Sequence, residues 1–337
     1  MEEIDQLLER LSQAYAVSGA EFGIFDLINS ELEGKVDRIE KDRFGNIIAF
    51  KKGKHTGSVI LTAHLDEIGF MVRGIEGGYL RFIQHGGVDV RILPGQAVMV
   101  LTDPPIFGTI GIKPPHMTTK EERKKVIPIR DLFIDTGLDE AELKEKVKIG
   151  DLIGFYSPYR RLKDNFRTGK AFDDRAGVTA AVEVLTKVDP YFDIYLVLTV
   201  QEEFTGLGAG VTAYQIKPDL AIVIDCTHGP HPDLPEYLTF ELEKGPVIGV
   251  GPTLNPKVSK SLQKTAEENG IPYRIEPMPG HTGTDAEKIA FSREGVLTGL
   301  VQIPIKHMHS PVEVVSLTDI DHTVKLLTLF LSRKPCS

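Results

Sequence analysis

The chain has 337 residues, of which 41% are hydrophobic and 26% are charged, and its formal net charge at pH 7 is −9. This composition is typical of a globular protein with room for one large domain and a smaller one. The negative charge argues against nucleic acid or an anionic membrane as a partner, and no apolar run approaches the roughly 18 residues of a membrane span.

Two cysteines, Cys226 and Cys336, are too few for a disulfide framework or a cysteine-rich zinc module, and they favour a reducing compartment. Residues 1–19 have helical spacing and an acidic start instead of the basic and apolar regions of a signal peptide. We therefore expect a cytoplasmic protein that binds neither nucleic acid nor a membrane.

Helical patterns occupy residues 1–33, with a break at Ser18-Gly19, and the segment RFGNIIAFKKG at 43–53 predicts a β-hairpin. Four apolar runs follow, and each of them ends next to side chains that bind metals or transfer protons. The runs and these side chains are GSVILTAHLDE with His64 and Asp66, DIYLVLTVQEE with Glu202 and Glu203, DLAIVIDCTHG with Asp225, and GVLTGLVQIP with His307 and His309.

Such near-continuous apolar runs are typical of strands that are covered on both faces, and helical patterns at 176–188 and 257–268 lie between them. This alternation predicts an α/β sheet, and the ligands of such sheets bind beyond the carboxyl ends of the strands. The polar side chains at the four strand ends are therefore expected to meet in one site.

From residue 71 to residue 163 the sequence changes to short β-like segments with many glycines and prolines. We predict that this stretch is a β-rich domain inserted into an α/β domain, which is formed by residues 1–70 and 164–337. The charged segment TTKEERKK at 118–125 is expected to be a solvent-exposed loop.

The spacing of His64 and Asp66 places both side chains on one face of a strand. A histidine that binds a metal needs an acceptor for its second ring nitrogen, and Asp66 can supply one. The alternative is an ordinary histidine followed by an aspartate that caps a loop.

Two adjacent aspartates, Asp173 and Asp174, precede a helical pattern in GKAFDDRAGV. Aspartates at the start of a helix also serve as N-caps, and this alternative is stronger for Asp174 than for Asp173. A carboxylate can instead bridge two cations, as two-metal hydrolases require.

The adjacent glutamates Glu202 and Glu203 follow an apolar strand, where two like charges repel each other. A solvated acidic loop explains them poorly. A division of roles explains them better, because one glutamate can bind a divalent cation while the other takes a proton from the attacking water.

Asp225 ends the third apolar run, at a position that is typical both of functional sites and of helix caps. His228 and His231 follow it and are interpreted as loop residues, although either can be a ligand. Of His307 and His309, one is expected to face a metal.

Together these strand ends supply imidazole and carboxylate ligands without a cysteine, a set that suits Zn²⁺, Co²⁺ or Mn²⁺ in an open site. One bridging carboxylate with two further ligands for each metal leaves room for water and substrate. The pattern therefore favours a two-metal hydrolase.

Eight motifs run in order over nearly the whole chain: SGAE (18–21), DRFGNIIA (42–49), AHLDEIGFMV (63–72), DLFIDTG (131–137), GKAFDDRAG, VQEEFTGLGA, GTDA and MHSPVEVVS. Together they resemble the M42 family of metallo-aminopeptidases, which includes TET and glutamyl aminopeptidases and relatives that have been labelled endoglucanases. The resemblance implies a phosphorylase/hydrolase-like, mixed-sheet α/β catalytic domain, interrupted by a small β-barrel-like domain that mediates dimerisation.

The resemblance also implies two divalent metal ions per subunit, zinc or cobalt, held by His64, Asp173, Glu203, Asp225 and His309. Asp173 would bridge the two ions, with His64 and Asp225 on one of them and Glu203 and His309 on the other.

By the same resemblance, Glu202 would be the general base and Asp66 would orient His64. Family members remove N-terminal residues from peptides and assemble into dimers and dodecamers.

Three departures from the family pattern are Thr205 in place of a glycine, a second histidine at His307, and His228 close to Asp225. A metal-dependent deacylase or deblocking peptidase on the same fold is the nearest alternative function. An endoglucanase is less favoured because the chain has no tryptophan for stacking on sugars. An assembly subunit without catalysis is disfavoured by the presence of Glu202.

Overall fold

The computed structural model describes residues 1–335, with the exception of the Phe22 side chain, so Cys336 lies outside the described residues. The helices are α1 (Glu2–Gln13), α2 (Phe25–Leu32), α3 (Glu140–Lys146), α4 (Phe172–Lys187), α5 (Leu207–Ile216), α6 (Pro256–Glu268), α7 (Asp285–Ala290) and α8 (Leu317–Leu331). Within residues 1–335, no helix combines the length and the apolar character that crossing a bilayer requires.

The strands form one large sheet and one barrel. They are β1 (Arg38–Lys41), β2 (Ile47–Lys51), β3 (Ser58–His64), β4 (Gly69–Glu76), β5 (Tyr79–His85), β6 (Ala97–Val100), β7 (Ile106–Gly111), β8 (Phe133–Asp135), β9 (Leu152–Phe155), β10 (Arg160–Arg161), β11 (Phe166–Gly169), β12 (Asp193–Thr199), β13 (Leu220–His228), β14 (Val247–Val250), β15 (Arg274–Pro277), β16 (Leu297–Lys306) and β17 (Glu313–Ser316).

The large sheet contains eleven strands among the described residues, in the order β1-β2-β12-β3-β13-β16-β17-β11-β10, with β14 and β15 paired beside β16. Its centre consists of β12, β3, β13 and β16, which are parallel to one another. These are the four apolar runs of the sequence. Because parallel strands end at the same edge of a sheet, the polar side chains that follow them converge there.

Helices cover both faces of this sheet. Alternate residues of β3 enter different cores, since Leu61 belongs to the core under α1, α4 and α8, whereas Ile60 belongs to the core under α5 and α7. In α1 the buried residues recur at helical spacing and meet the first of these cores, which gives the helix one apolar face.

Six antiparallel strands form the closed barrel, in the order β4-β5-β8-β7-β6-β9. Its interior is packed with apolar side chains, including Phe70, whose ring centroid lies 5.2 Å from that of Phe82 and 5.1 Å from that of Phe155. The predicted fold class, a mixed α/β sheet with a small β-barrel, is confirmed. The domain boundaries at residues 70 and 163 stay a prediction, and the barrel strands themselves run from Gly69 to Phe155.

The predicted hairpin at 43–53 is shifted in the structure. Its two strands are β1 and β2, so the segment holds the turn and only the second strand. The reason is Asp42, whose Oδ1 accepts hydrogen bonds from the backbone N–H groups of Phe44, Gly45 and Asn46 at 2.8, 2.8 and 3.0 Å and thereby closes the turn earlier in the sequence.

Candidate metal centre

A cavity of about 430 Å³ opens beyond the carboxyl ends of the parallel strands. Most of the predicted site residues line it, together with a set of polar and apolar neighbours. The lining residues are His64, Asp173, Glu202, Glu203, Asp225, Cys226, Thr227, His228, Glu276, Met278, Thr282, Gly283, Thr284, Gln302, Met308 and His309.

His64, the last residue of β3, is buried and has both ring nitrogens engaged. Its Nδ1 lies 3.1 Å from the backbone oxygen of Asp66, and its Nε2 lies 3.3 Å from Oδ1 of Asp173. A carbonyl can only accept, so Nδ1 carries the proton and the lone pair of the neutral ring is on Nε2. In the neutral ring the lone pair of Nε2 therefore faces the Asp173 carboxylate.

His309 approaches the same aspartate from the other side. Its Nε2 lies 3.4 Å from Oδ2 of Asp173 and 3.2 Å from Oε1 of Glu203. Its Nδ1 lies 3.0 Å from the backbone oxygen of Gly87, which belongs to the loop after β5 of the barrel. The barrel thus supplies the carbonyl that sets the tautomer and the ring orientation of His309.

Asp173 occupies the middle of this arrangement, with one oxygen facing each imidazole. Each carboxylate oxygen and each neutral Nε2 is an acceptor, and two acceptors in contact require a proton or a cation between them. Although burial disfavours its charged form, Asp173 and Glu203 raise the pKa of His309 to about 11. Despite its own burial, Asp173 has a lowered pKa because both histidines donate to it.

This geometry fits a divalent cation well. Ligand atoms of His64, Asp173 and Glu203 lie within 4.8 Å of one another, and two imidazoles with carboxylates are a suitable donor set for such an ion. A cation would take the place of the protons that the acceptor pairs otherwise need.

Glu202 and Glu203 follow β12 in a turn that Asp66 holds. The Asp66 carboxylate accepts hydrogen bonds from the backbone N–H of Glu202 at 2.9 Å and of Glu203 at 3.1 Å, and another from the Ser18 hydroxyl. Its Oδ1 is also 3.5 Å from Nδ1 of His64. Asp66 therefore positions the glutamate pair, in addition to lying beside His64 as predicted.

The two glutamate side chains have different surroundings. Glu203 contacts His309, whereas the Glu202 carboxylate makes no hydrogen bond to another described residue and faces the cavity. Burial, together with the nearby carboxylates of Asp225 and Asp285, raises the pKa of Glu202 to about 10. A cation in the cavity would offset this negative charge and lower that pKa.

Asp225 lines the cavity from β13, but it is the least engaged of the predicted ligands. The backbone N–H of Cys226 donates to its Oδ1 at 2.6 Å. Among the described residues, two groups bring their ligand atoms within 4.8 Å, and Asp225 belongs to neither. The second group is Asp173, Asp174 and Cys226, all of them buried.

The structure gives different surroundings to the residues whose roles the sequence left open. His309 contacts the acidic cluster, whereas the exposed His307 lies with its ring centroid 6.3 Å from that of His231. Oδ1 of Asp174 accepts a hydrogen bond from the backbone N–H of Gly177 at 3.0 Å, a contact of the capping kind considered for this residue. His228 lines the cavity at its exposed side.

Glu313 is a buried residue of the site that sequence reasoning missed. Its Oε2 accepts from the backbone N–H groups of Phe172 at 2.6 Å and Asp173 at 3.2 Å, and its Oε1 accepts from that of His309 at 2.9 Å. One carboxylate thus joins the segments that carry two predicted ligands. The sequence feature that could have drawn attention to Glu313 is its place as a single acid among valines in VEVV.

Comparisons with known proteins identify the family of the chain. A family model described as M42 glutamyl aminopeptidase matches residues 45–326. A curated relative, the lysyl aminopeptidase of Pyrococcus furiosus, is 35% identical over 333 residues, which cover 97% of this chain and 96% of the relative.

Solved structures give the same result. Aminopeptidase APDkam598 from the archaeon Desulfurococcus kamchatkensis matches with a TM-score of 0.93 and 36% identity, over 99% of this chain and 96% of the other. The TET1 peptidase of Pyrococcus horikoshii, which can assemble into a tetrahedron or a large octahedral shell, matches with a TM-score of 0.87 and 31% identity, over 98% and 100%. A structure described as an endoglucanase from Thermotoga maritima matches with a TM-score of 0.80 and 35% identity, over 96% of each chain.

The family model covers most of the sequence, and these relatives align over almost their whole length. The resemblance noted in the motifs is confirmed, and the chain belongs to the M42 aminopeptidase family.

Proposed function

We propose that this protein is a two-metal aminopeptidase that removes N-terminal residues from peptides. The observation that carries the proposal is the contact of two imidazole Nε2 atoms with the carboxylates of Asp173 and Glu203 in one cavity. The residues that would hold the metal ions, zinc or cobalt, are His64, Asp173, Glu203, Asp225 and His309.

When bound, divalent ions supply Lewis-acid polarisation of the scissile carbonyl and lower the pKa of the attacking water. Glu202 takes the proton from this water and passes it to the leaving amine. Its carboxylate is suited to this role because it faces the cavity without a hydrogen-bond partner among the described residues. Asp66 keeps it in place through the backbone N–H of Glu202.

The charge of the cavity supports a substrate with a free amine. Asp173, Glu202, Glu203, Asp225 and Glu276 line it, and no lysine or arginine is among its described lining residues. A peptide carries its positive charge at the N-terminus, which these carboxylates attract, whereas no lysine or arginine among the described residues lines the cavity to pair with a C-terminal carboxylate. This arrangement favours an aminopeptidase over a carboxypeptidase.

Self-association is part of the proposal. The barrel would join two subunits, and the dimers would assemble further into a dodecamer, as closed shells of a related TET peptidase suggest. Phe107 and Tyr156 form an exposed ring pair on the barrel, with centroids 5.3 Å apart and exposed fractions of 49% and 46%. Light scattering on the purified protein tests this, since a monomer would contradict it. The expected location is the cytoplasm.

The deciding experiment compares a short peptide that has a free N-terminus with its N-acetylated twin, after chelation and after cobalt is added back. Cleavage of the free peptide alone, restored by cobalt, is the expected result. Cleavage of the acetylated twin would instead identify a deblocking peptidase or deacylase. Cleavage of neither peptide would contradict the proposed function, and cellulose hydrolysis that survives chelation would identify an endoglucanase.

A further inference from the structure

Glu276 is a carboxylate of the cavity wall that the proposed metal ligands and base leave unused. It lies on β15, and its Oε2 accepts hydrogen bonds from the Thr227 hydroxyl at 2.9 Å and from the Gln302 side-chain amide at 2.6 Å. These bonds come from two different strands of the sheet, β13 and β16. They hold the carboxylate in one position against the cavity.

The position of Glu276 is set relative to the proposed metal site. Asp225 and Thr227 are two residues apart on β13 and share one face of the strand, and Gln302 pairs with Asp225 in the register of β13 and β16. Two residues of strand span about 7 Å. Glu276 therefore lies within about one side-chain repeat of Asp225 along the strand, and both line the same cavity.

The charge of Glu276 is free to act on a ligand. Its Oε1 has no hydrogen-bond partner among the described residues, and the side chain is only half-buried. Met278 lies beside it on the cavity wall and offers apolar surface. A pocket with a fixed carboxylate at its end and apolar surface along its side suits the four-carbon stem and terminal ammonium of lysine, and also arginine.

Acidic side chains have no corresponding partner in this cavity. Lys288 lines a neighbouring cavity, which shares Gly283 and Thr284 with this one. A glutamate of the substrate would face Glu276, and no lysine or arginine is among the described residues that line the same cavity. The names of the relatives do not decide between an acidic and a basic N-terminal residue, since the family is described as glutamyl and one relative as lysyl.

We propose that Glu276 makes this protein select peptides whose N-terminal residue is lysine or arginine. The carboxylate pairs with the cationic end of that side chain while the peptide's N-terminus is held at the metal site. This specificity rests on the proposed aminopeptidase function.

The test uses lysyl-, norleucyl- and glutamyl-p-nitroanilide on the cobalt-loaded protein. Norleucine has the same four-carbon stem as lysine without the ammonium, so the lysyl to norleucyl ratio of kcat/KM isolates the charge. We expect a ratio of about ten in the wild type, a ratio near one in Glu276→Gln, and an unchanged ratio in Glu236→Gln, an exposed glutamate outside the cavity. The glutamyl substrate is expected to be the poorest.

Binding of L-lysine and L-norleucine, measured by titration calorimetry, gives a readout that does not depend on turnover. Tighter binding of L-lysine supports the inference even where Glu276→Gln fails to fold. Equal binding of the two amino acids, a ratio that Glu276→Gln does not change, or a preference for the glutamyl substrate that Lys288→Met removes would overturn it. If none of the anilides is cleaved, the aminopeptidase function fails, and the calorimetry alone decides the preference of the pocket.

Discussion

Replacement of Glu202 tests whether the proposed catalysis can be separated from metal binding. Glu202→Gln keeps the size of the side chain and removes the proton acceptor, so kcat should fall by about 10²- to 10⁴-fold. Metal content should stay the same because Glu202 is not a proposed ligand. Both are measured on one preparation, by peptide hydrolysis and by elemental analysis. A variant with wild-type kcat would exclude Glu202 as the base.

Glu313 should control metal affinity without contacting a metal. Its carboxylate accepts three backbone N–H groups, and in Glu313→Gln the amide nitrogen can accept none of them. We expect a loss of about 10- to 100-fold in cobalt affinity, the range typical of residues that orient metal ligands. Spectroscopic titration with Co²⁺ measures it, with the exposed Glu294→Gln as the control. Equal affinities would contradict this role.

Some of these residues could be predicted from sequence, and others could not. His64, Glu202 and Asp225 could be predicted because each is a polar residue at the end of an apolar run in the sequence. Glu313 binds the N–H of a residue that is 141 positions away in the chain. Local patterns carry no information about such a pairing, which depends on the folded topology.

The loop after β5 links the barrel to the metal site through a single glycine. A Cβ on Gly87 would lie 2.8 Å from Nδ1 and 3.0 Å from Cε1 of His309, closer than such atoms tolerate. Gly87→Ala should therefore displace the His309 ring and lower kcat/KM by at least about tenfold. Gly74→Ala is the matched control, because a Cβ there meets nothing within 4 Å. Equal activity of the two variants would show that the ring can adjust.

Helix α1 is fastened to β11 by a buried ion pair. Asp5 accepts from Nε and Nη2 of Arg167 at 2.7 and 2.8 Å, and both side chains are less than one tenth exposed. Asp5→Asn should lower the free energy of unfolding by about 3 kcal/mol, since it leaves a buried guanidinium without its counter-charge. Urea unfolding measures this, with the exposed Glu3→Gln as the control.

The effect should depend on pH in a defined direction. Arg167 holds the pKa of Asp5 below its ordinary value of 3.8. A carboxyl with a lowered folded pKa stabilises the protein above its unfolded pKa, and this contribution disappears as the pH falls through the folded pKa. The difference between wild type and Asp5→Asn should therefore be complete at pH 6 and shrink below about pH 4. A difference that is constant down to pH 2 would rule out the ion pair as its source.

At the level of elements, apolar periodicity predicted the parallel strands well because those strands are buried on both faces. The hairpin was displaced because its turn starts at Asp42, whose side chain accepts hydrogen bonds from the backbone N–H groups of Phe44 and Gly45. The barrel strands β6, β8 and β9 have 4, 3 and 4 residues, which are too few to show a period. The sequence therefore indicated that 71–163 is β-rich and left the order of the barrel strands undetermined.

Metal binding should stabilise the whole molecule. The site gathers several buried carboxylates, and a ligand that binds only the folded state adds about 2.7 kcal/mol at one hundred times its dissociation constant. Chelation should lower the melting temperature by several degrees, and cobalt or zinc should restore it. The measurement is a thermal scan at constant pH and protein concentration, with calcium as the control ion because it prefers oxygen ligands. A melting temperature that does not respond to chelation would contradict a metal site of this kind.

The participation of Gly87 and His309 in one contact has a consequence for synthesis on the ribosome. His64 is synthesised first, the barrel strands follow it, and His309 is added only after β16. A nascent chain that has made its barrel therefore still lacks His309, the proposed metal ligand whose ring the Gly87 carbonyl of that barrel orients. The proposed site is therefore complete only when nearly all of the described sequence has been made.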